Sequence, residues 1–425
     1  MVFADVTRRA VPLTFRRESR VPLCALLSAL VMGAVLAGCV TAPPEAPPPP
    51  PVAEAPPPEE LGPPPRSERP DYFRLRNTPD NITPVRVAML LPLTNPQAET
   101  RALARALQQA AEMALFDSGN PNIILMPRDD GGSPERAVAA AREAIDDGAE
   151  IILGPLFAQA AAAVGPVARE AGVPVVTFST DRTIAGNGVF LLSFQAENEV
   201  ERIVSFAAQN GHNAFAAMVS QTAYGDRVAG AFENAVAQSG AAVTAIQRFS
   251  PQPGLVGEAA GAVANSYPDA ILIAEGGVML QALAPALALR GAAPPGVQML
   301  GTGLWDDPAV QREPMLRAGW FAAPSPEAWQ GFVRRYETNF GERPPRLATL
   351  AYDAMSLVAV LGDGVPFQRF TPAALIDPNG FVGVDGIFRF RPDGASDRGL
   401  AVLQVNPNGF TVIDPAPTSF LAPGF

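Results

Sequence analysis

From residue 85 onward the chain alternates short apolar runs with longer helical stretches, joined by connections of only a few residues. That alternation constrains the fold more than any other feature, because parallel strands must be connected by crossovers that cover the sheet on both faces. The first run, 85–91, is apolar almost throughout, as a strand buried on both faces should be. A helix is expected over 99–116 with Gly119 just past its end, and a second strand over 122–126. Ser133 is placed to cap a helix whose first position is Pro134 and which runs to about 146, with Gly148 closing it. Strands over 150–153, 173–178 and 190–194, with a helix over 159–171, complete a first α/β unit. The pattern then restarts: helices over 199–210, 226–238, 258–265 and 278–290 separate strands over 214–220, 241–249, 270–274, 297–301 and 319–322. Helices over 327–340 and 349–361 follow. The tail changes character, with hairpin strands expected over 386–390, 400–405 and 410–413 and Asn406-Pro407-Asn408-Gly409 as a turn.

What precedes this region cannot form helix or sheet. Proline runs at 47–51, 56–58 and 63–65 fix φ and remove N–H donors. Residues 43–70 read as a disordered polyproline-type linker, reaching at most about 85–90 Å at ~3.1 Å per residue. Ahead of it lie Arg8, Arg9, Arg16, Arg17 and Arg20, an apolar core over 21–36, and Leu36-Ala37-Gly38-Cys39. The core is shorter than the ~20 residues a membrane-spanning helix needs. The segment resembles a bacterial lipoprotein signal, which implies cleavage before Cys39 and acylation of its thiol. An ordinary signal peptide with a chance cysteine is the plainer alternative. Val40 follows the cysteine where an aspartate would have suggested retention at the inner membrane, so the outer membrane, facing the periplasm, is the expected location.

Composition excludes several chemistries. The chain has 425 residues, two cysteines, one histidine and no lysine. Cys24 leaves with the signal and Cys39 would carry lipid, so no thiol remains for a disulfide or a nucleophile. The net charge of −11 becomes −14 once residues 1–38, with five arginines and two acids, are removed. Such a surface repels phosphate backbones, so no nucleic-acid partner is expected. A single histidine without a nucleophile elbow, no phosphate-loop lysine, and no Gly-x-Gly-x-x-Gly after the first strand argue against an enzyme, a metal site or a cofactor.

The stretch Arg128-Asp129-Asp130-Gly131-Gly132-Ser133-Pro134-Glu135, continuing to Ile151-Ile152-Leu153-Gly154-Pro155, resembles type I periplasmic binding proteins of the branched-chain amino-acid-binding group. Ala223-Tyr224-Gly225-Asp226 and Gly383-Val384-Asp385-Gly386 continue the likeness over roughly 84–412. The resemblance implies an α/β fold of two Rossmann-like lobes, 84–196 with 323–399 and 197–322 with 400–425, closing on a ligand. Residues 1–38 would be the signal and 39–83 the lipidated linker. Ligands of open parallel sheets sit beyond the strand carboxyl ends. Here those positions hold Leu156, Phe157, Ala158, Ser179, Thr180, Asp181, Tyr224, Glu275, Gly276, Trp305 and Asp306. Asp129-Asp130 read as acids that cap the next helix or solvate the loop more readily than as ligand contacts at the cleft edge. His212 reads as an ordinary loop residue.

Amino-acid binders of this group place small hydroxyl residues where this chain has Phe157-Ala158-Gln159, and an acid where it has Gly303-Leu304-Trp305. A buried zwitterion without paired charges is costly, so a free amino acid such as leucine is not the expected ligand. That pattern looks more like the lipoprotein activators of penicillin-binding proteins. The resemblance implies a role in regulating peptidoglycan synthesis through contact with a penicillin-binding protein, with Trp305 a candidate contact. The alternative is a lipid-anchored solute receptor whose partner is an ABC permease.

Overall fold

Seven consecutive residues of β2 (Val85–Leu91, following a two-residue β1, Phe73–Arg74) are buried. In the computed structural model, residues 73–74 and 83–421 are described. The signal segment, Cys39 and the proline runs lie outside them. The remaining elements of the first unit are α1 (Ala98–Ser118), β3 (Ile123–Asp129), α2 (Pro134–Asp146), β4 (Ile151–Leu153), α3 (Ala158–Glu170), β5 (Val175–Thr177) and β6 (Val189–Leu191). They build a sheet of order β1-β3-β2-β4-β5-β6. Only β1, at the edge, runs antiparallel; Val85 aligns with Ile123, Val87 with Ile151 and Val176 with Phe190.

The second sheet takes α4 (Ala196–Gln209), β7 (Ala214–Ser220), α5 (Ala223–Gln238), β8 (Ala242–Phe249), α6 (Gly257–Ala264), β9 (Ala270–Ile273), α7 (Gly277–Ala288), β10 (Gln298–Gly301) and β11 (Trp320–Ala323). The chain then returns to the first lobe as α8 (Pro326–Phe340), α9 (Ala348–Leu361) and α10 (Pro372–Leu375). A small antiparallel sheet follows, of β12 (Phe381–Gly383), β13 (Gly386–Phe390) and β14 (Ser396–Arg398). A hairpin of β15 (Ala401–Asn406) and β16 (Gly409–Asp414) closes the second sheet, whose order is β16-β15-β11-β10-β9-β7-β8. The expected two-lobed α/β fold is the observed one. Three passages join the lobes, at 192–195, 324–325 and 399–400.

Each sheet is covered on both faces. In the first lobe, Leu107, Ala111, Met355 and Val358 form one layer and Ala137, Ala141, Val164 and Ala168 the other. In the second, Leu283, Leu287, Phe321 and Leu403 face one way and Val200, Ile203, Phe215 and Phe232 the other. Burying each Leu, Ile, Val, Met or Phe among them contributes about 1.5–3 kcal/mol, and each alanine less.

Some details depart from the sequence pattern. The strand expected over 190–194 ends at Leu191, because 192–195 leave the sheet to cross to the second lobe. The helix expected from 199 begins at Ala196. Strands β12 and β14 were not legible, since three residues carry no measurable period.

The start of α5 shows how sequence positions a site element. Thr222 caps the helix through Gly225 N–H at 3.1 Å. A Cβ on Gly225 would overlap the backbone carbonyl oxygen of Ser220. Only glycine lets this helix start directly beyond β7, which is what holds Tyr224 at the strand end. Gly225→Ala should therefore cost about 1–3 kcal/mol in urea unfolding, as overpacking does; unchanged stability would disprove this account.

Candidate functional site

Beyond the carboxyl ends of β2, β3 and β4 lies an open cavity of about 500 Å³, lined by Asn95, Pro96, Gln97, Gly132, Phe157, Ala158 and Gln159. Its walls are the starts of α1 and α3. Neither helix carries a side-chain cap, so first-turn N–H groups there lack that partner. By contrast, α2 is capped by Ser133 Oγ, which accepts from Arg136 N–H at 3.3 Å. Asn95 Oδ1 accepts from Gln97 N–H at 3.0 Å and Asn95 Nδ2 donates to the Gly131 carbonyl at 3.3 Å. Gly131 and Gly132 both have positive φ, and a Cβ on Gly132 would come within 2.6 Å of Asn95 Nδ2 and 3.0 Å of the Phe157 ring. Glycine is thus what lets this loop close against both lining side chains.

The paired acids organise that loop. Asp129 accepts from Thr94 N–H and Oγ, and from Gly131 N–H, and pairs with Arg136. Burial works against its charge, but these donors and Arg136 outweigh it and hold its pKa below the usual value. Asp130 is fully buried, and burial pushes it up to about 6 although Gly132 N–H donates to it.

A second set of polar groups lies where the lobes face each other. Ser179 is buried and its Oγ accepts from Asp181 N–H at 3.1 Å; Thr180 is exposed. Asp181 accepts from Thr183 N–H and Oγ, which with Arg227 hold its pKa low. Tyr224 meets Thr302 Oγ at 3.2 Å. Burial pushes its phenol well up, and the charges of Glu199 and Glu275 add to that. Glu199 accepts from Gly303 N–H at 2.9 Å; a Cβ on Gly303 would lie 2.8 Å from its other oxygen. Burial raises Glu199 to about 7. Burial also raises Glu275, against its hydrogen bonds to Ser220. Glu197 stands 3.8 Å from Arg227 and 3.9 Å from Arg182.

The structure brings Asp181, Tyr224 and Glu275 into one electrostatic group, with Phe157 and Ala158 lining the cavity. Gly276 is the N-cap of α7 and leaves room for Leu304. Leu156 is half-buried against the first-lobe core and absent from the cavity wall. Asp306 faces Arg346 at 3.8 Å. Trp305 corrects the expectation of a cleft or surface aromatic: it is 0% exposed, packed on Phe321 inside the second lobe. Sequence reading missed Asn95, Gln97, Gln159, Glu199, Arg227 and Thr302. Glu199 was hidden because an acid near a helix start reads as dipole complementation. Among the described residues, no group of three or more His, Cys, Asp or Glu could hold a metal, and no helix is long and apolar enough to cross a membrane.

A protein from Rhodospirillum rubrum named for a branched-chain amino acid ABC transporter superposes with a TM-score of 0.70, at 22% identity over 78% of this chain and 100% of that one. A branched-chain amino acid ABC transporter periplasmic ligand-binding protein from Burkholderia xenovorans gives 0.65, at 17% identity over 80% and 97%. A solute-binding protein of an ABC transporter from Rhodopseudomonas palustris, in complex with 3,4-dihydroxybenzoic acid, gives 0.55, at 19% identity over 79% and 98%. An uncharacterized protein of Rickettsia prowazekii is 20% identical over 182 residues, 43% of this chain; the match spans about half, 48%, of that protein's length. The periplasmic binding protein family profile matches residues 84–409, so with the two-lobed fold and its strand-end cavity this chain belongs to the periplasmic binding protein family.

Proposed function

We propose that this protein is a periplasmic receptor for a small ligand with an apolar face and a polar rim, passed on to an ABC permease. The observation that carries this reading is the lining of the cavity: three amides, one phenyl ring and no ionised side chain. Amides offer donors and acceptors together but no charge to balance a zwitterion. Phe157, 37% exposed at the mouth, offers a ring face. The uncapped starts of α1 and α3 suit a hydroxyl or carboxylate edge. The volume is in the range of about 300–1,000 Å³ typical of small-molecule sites. The fold shared with solute-binding proteins supports the same reading. The bodies that close would be 84–196 with 323–399 and 197–322 with 400–425.

Calorimetric titration with 4-hydroxybenzoate and with leucine tests it. The benzoate should bind and leucine should not, and Phe157→Ala should weaken binding about tenfold, roughly 1.4 kcal/mol of lost ring contact. Preference for leucine, or binding indifferent to Phe157→Ala, would refute this assignment of the cavity.

A second reading rests on Leu36-Ala37-Gly38-Cys39 and the proline runs. Acylation at Cys39 would hold the domain at the outer membrane, away from any inner-membrane permease, and suits a regulator of peptidoglycan synthesis bound to a penicillin-binding protein. Crosslinking in whole envelopes separates the two: a peptidoglycan synthase in the captured material supports the regulator, permease subunits the receptor.

A further inference from the structure

We infer that Arg346 is the positioning residue that sets the angle between the two lobes, through a stack of cations and aromatic rings in which their connections meet. The inference rests on the lobes moving as two bodies, and is independent of which ligand the cavity takes.

Arg346 lies in the first lobe, just ahead of α9. Its guanidinium carbon sits 4.6 Å from the centroid of Trp329 and 5.4 Å from that of Phe194. On Phe194 lies a second cation: Arg398 is 5.3 Å from its centroid and 5.5 Å from that of Phe388. The order is therefore Trp329, Arg346, Phe194, Arg398, Phe388. Phe194 belongs to the first passage between the lobes. Trp329 is in the first turn of α8, directly after the second. Arg398 ends β14 and opens the third. Guanidinium is planar and weakly hydrated, so it can enter such a stack where a lysine ammonium would hold its water.

The carboxylates around the stack fix its position on one side only. Arg346 pairs with Asp385 at 2.5 Å, and Asp385 also accepts from Thr349 Oγ at 2.5 Å. Arg398 donates to the Asp385 carbonyl at 3.3 Å and to Asp353 at 3.4 Å, and Asp353 accepts from Val384 N–H at 2.6 Å. All of these belong to the first lobe, and Asp385, Thr349, Arg398 and Asp353 are buried while Arg346 is half-buried. The contact of Arg346 with the second lobe is Asp306, at 3.8 Å. That is longer than a direct charge-assisted hydrogen bond of about 2.7–2.9 Å. One edge of the guanidinium, at Nη1, is anchored by Asp385, while Nε faces Asp306 across a gap that rotation of the lobes would open or close. Its partners Trp329, Phe194, Asp385 and Asp306 all lie outside the cavity lining, so its effect on binding would act through lobe geometry.

The test reads geometry without any ligand. Since the domain has no cysteine after Cys39, spin labels can be introduced by Glu135→Cys on α2 and Gln281→Cys on α7, both exposed. The inter-label distance distribution is measured by pulsed dipolar spectroscopy in the parent, in Arg346→Lys and in Asp306→Asn. Both variants should shift the mean or broaden the distribution by more than about 2 Å, the scale of domain rearrangements, with far-ultraviolet circular dichroism unchanged. Asp306 is partly exposed, so Asp306→Asn tests the idea even if Arg346→Lys fails to fold. A parent-like distribution in a folded Asp306→Asn variant would overturn the inference. It would leave the receptor reading intact, since that stands on the titrations at Phe157.

Discussion

Raising the pH from about 5 to about 8 should lower the stability of this domain, and Glu199→Gln should remove much of that loss. Glu199 is almost wholly buried, and burial is the main reason its pKa rises from 4.5 to about 7; the neighbouring Glu197 charge adds to it, while Gly303 N–H opposes it. A carboxyl group raised in the folded state binds its proton more tightly there than in the unfolded chain. Its contribution is complete below about 4.5 and is lost as the pH rises through about 7. For one such group the loss is on the order of 3 kcal/mol. Asp130, raised to about 6, and Asp353, raised by burial against the pull of Arg398, act in the same direction. Asp129 and Asp181, whose pKa values are held low, act oppositely, and their contribution fades only as the pH falls through their depressed values. The stability maximum should therefore lie on the acid side of neutrality. Urea midpoints of the parent and of Glu199→Gln at the two pH values check this. The glutamine carbonyl can still accept from Gly303 N–H, so the variant isolates the charge. A parent midpoint that does not fall with pH, or a variant that falls just as far, would contradict it.

Trp305→Ala should cost about 3–5 kcal/mol of folding stability, as large aromatic truncations in cores do. The ring lies within the second-lobe core, its centroid 6.4 Å from that of Phe321. Its fit is close enough that a Cβ on Gly301 would overlap the indole. The indole N–H is buried without a partner among the described residues, which means Trp305→Phe should be far milder than alanine. Equilibrium urea unfolding of both variants measures the difference. If Trp305→Ala unfolds like the parent, the residue is free to serve a surface role and the packing described above is wrong.

The regular elements were legible because their information is local. The continuous apolar run at 85–91, Ser133-Pro134 at a helix start and Gly119 after a helix end each carry a signal within one element. The hairpin around Asn406–Gly409 was legible in the same way. What failed were the pieces defined by contact across the chain. Trp305 looked like a loop aromatic because its neighbours are glycines, yet Gly301 is where a Cβ would overlap its ring. Glu199 looked like a helix-start acid, yet it accepts from a loop more than a hundred residues away in sequence.

The sequence by itself determined the α/β alternation, its two successive units, and the residues that lie at strand ends, since strand and helix periods and their punctuation are short-range properties. Only the tertiary structure decided which of those strand-end residues share a space. It put Phe157 and Gln159 with Asn95 and Gln97 around a cavity, Tyr224 with Glu199, and Arg346 between Trp329 and Phe194. The reason is physical: a side chain's charge, exposure and partners depend on what packs over it, and in a fold with three passages between lobes those neighbours come from distant parts of the chain.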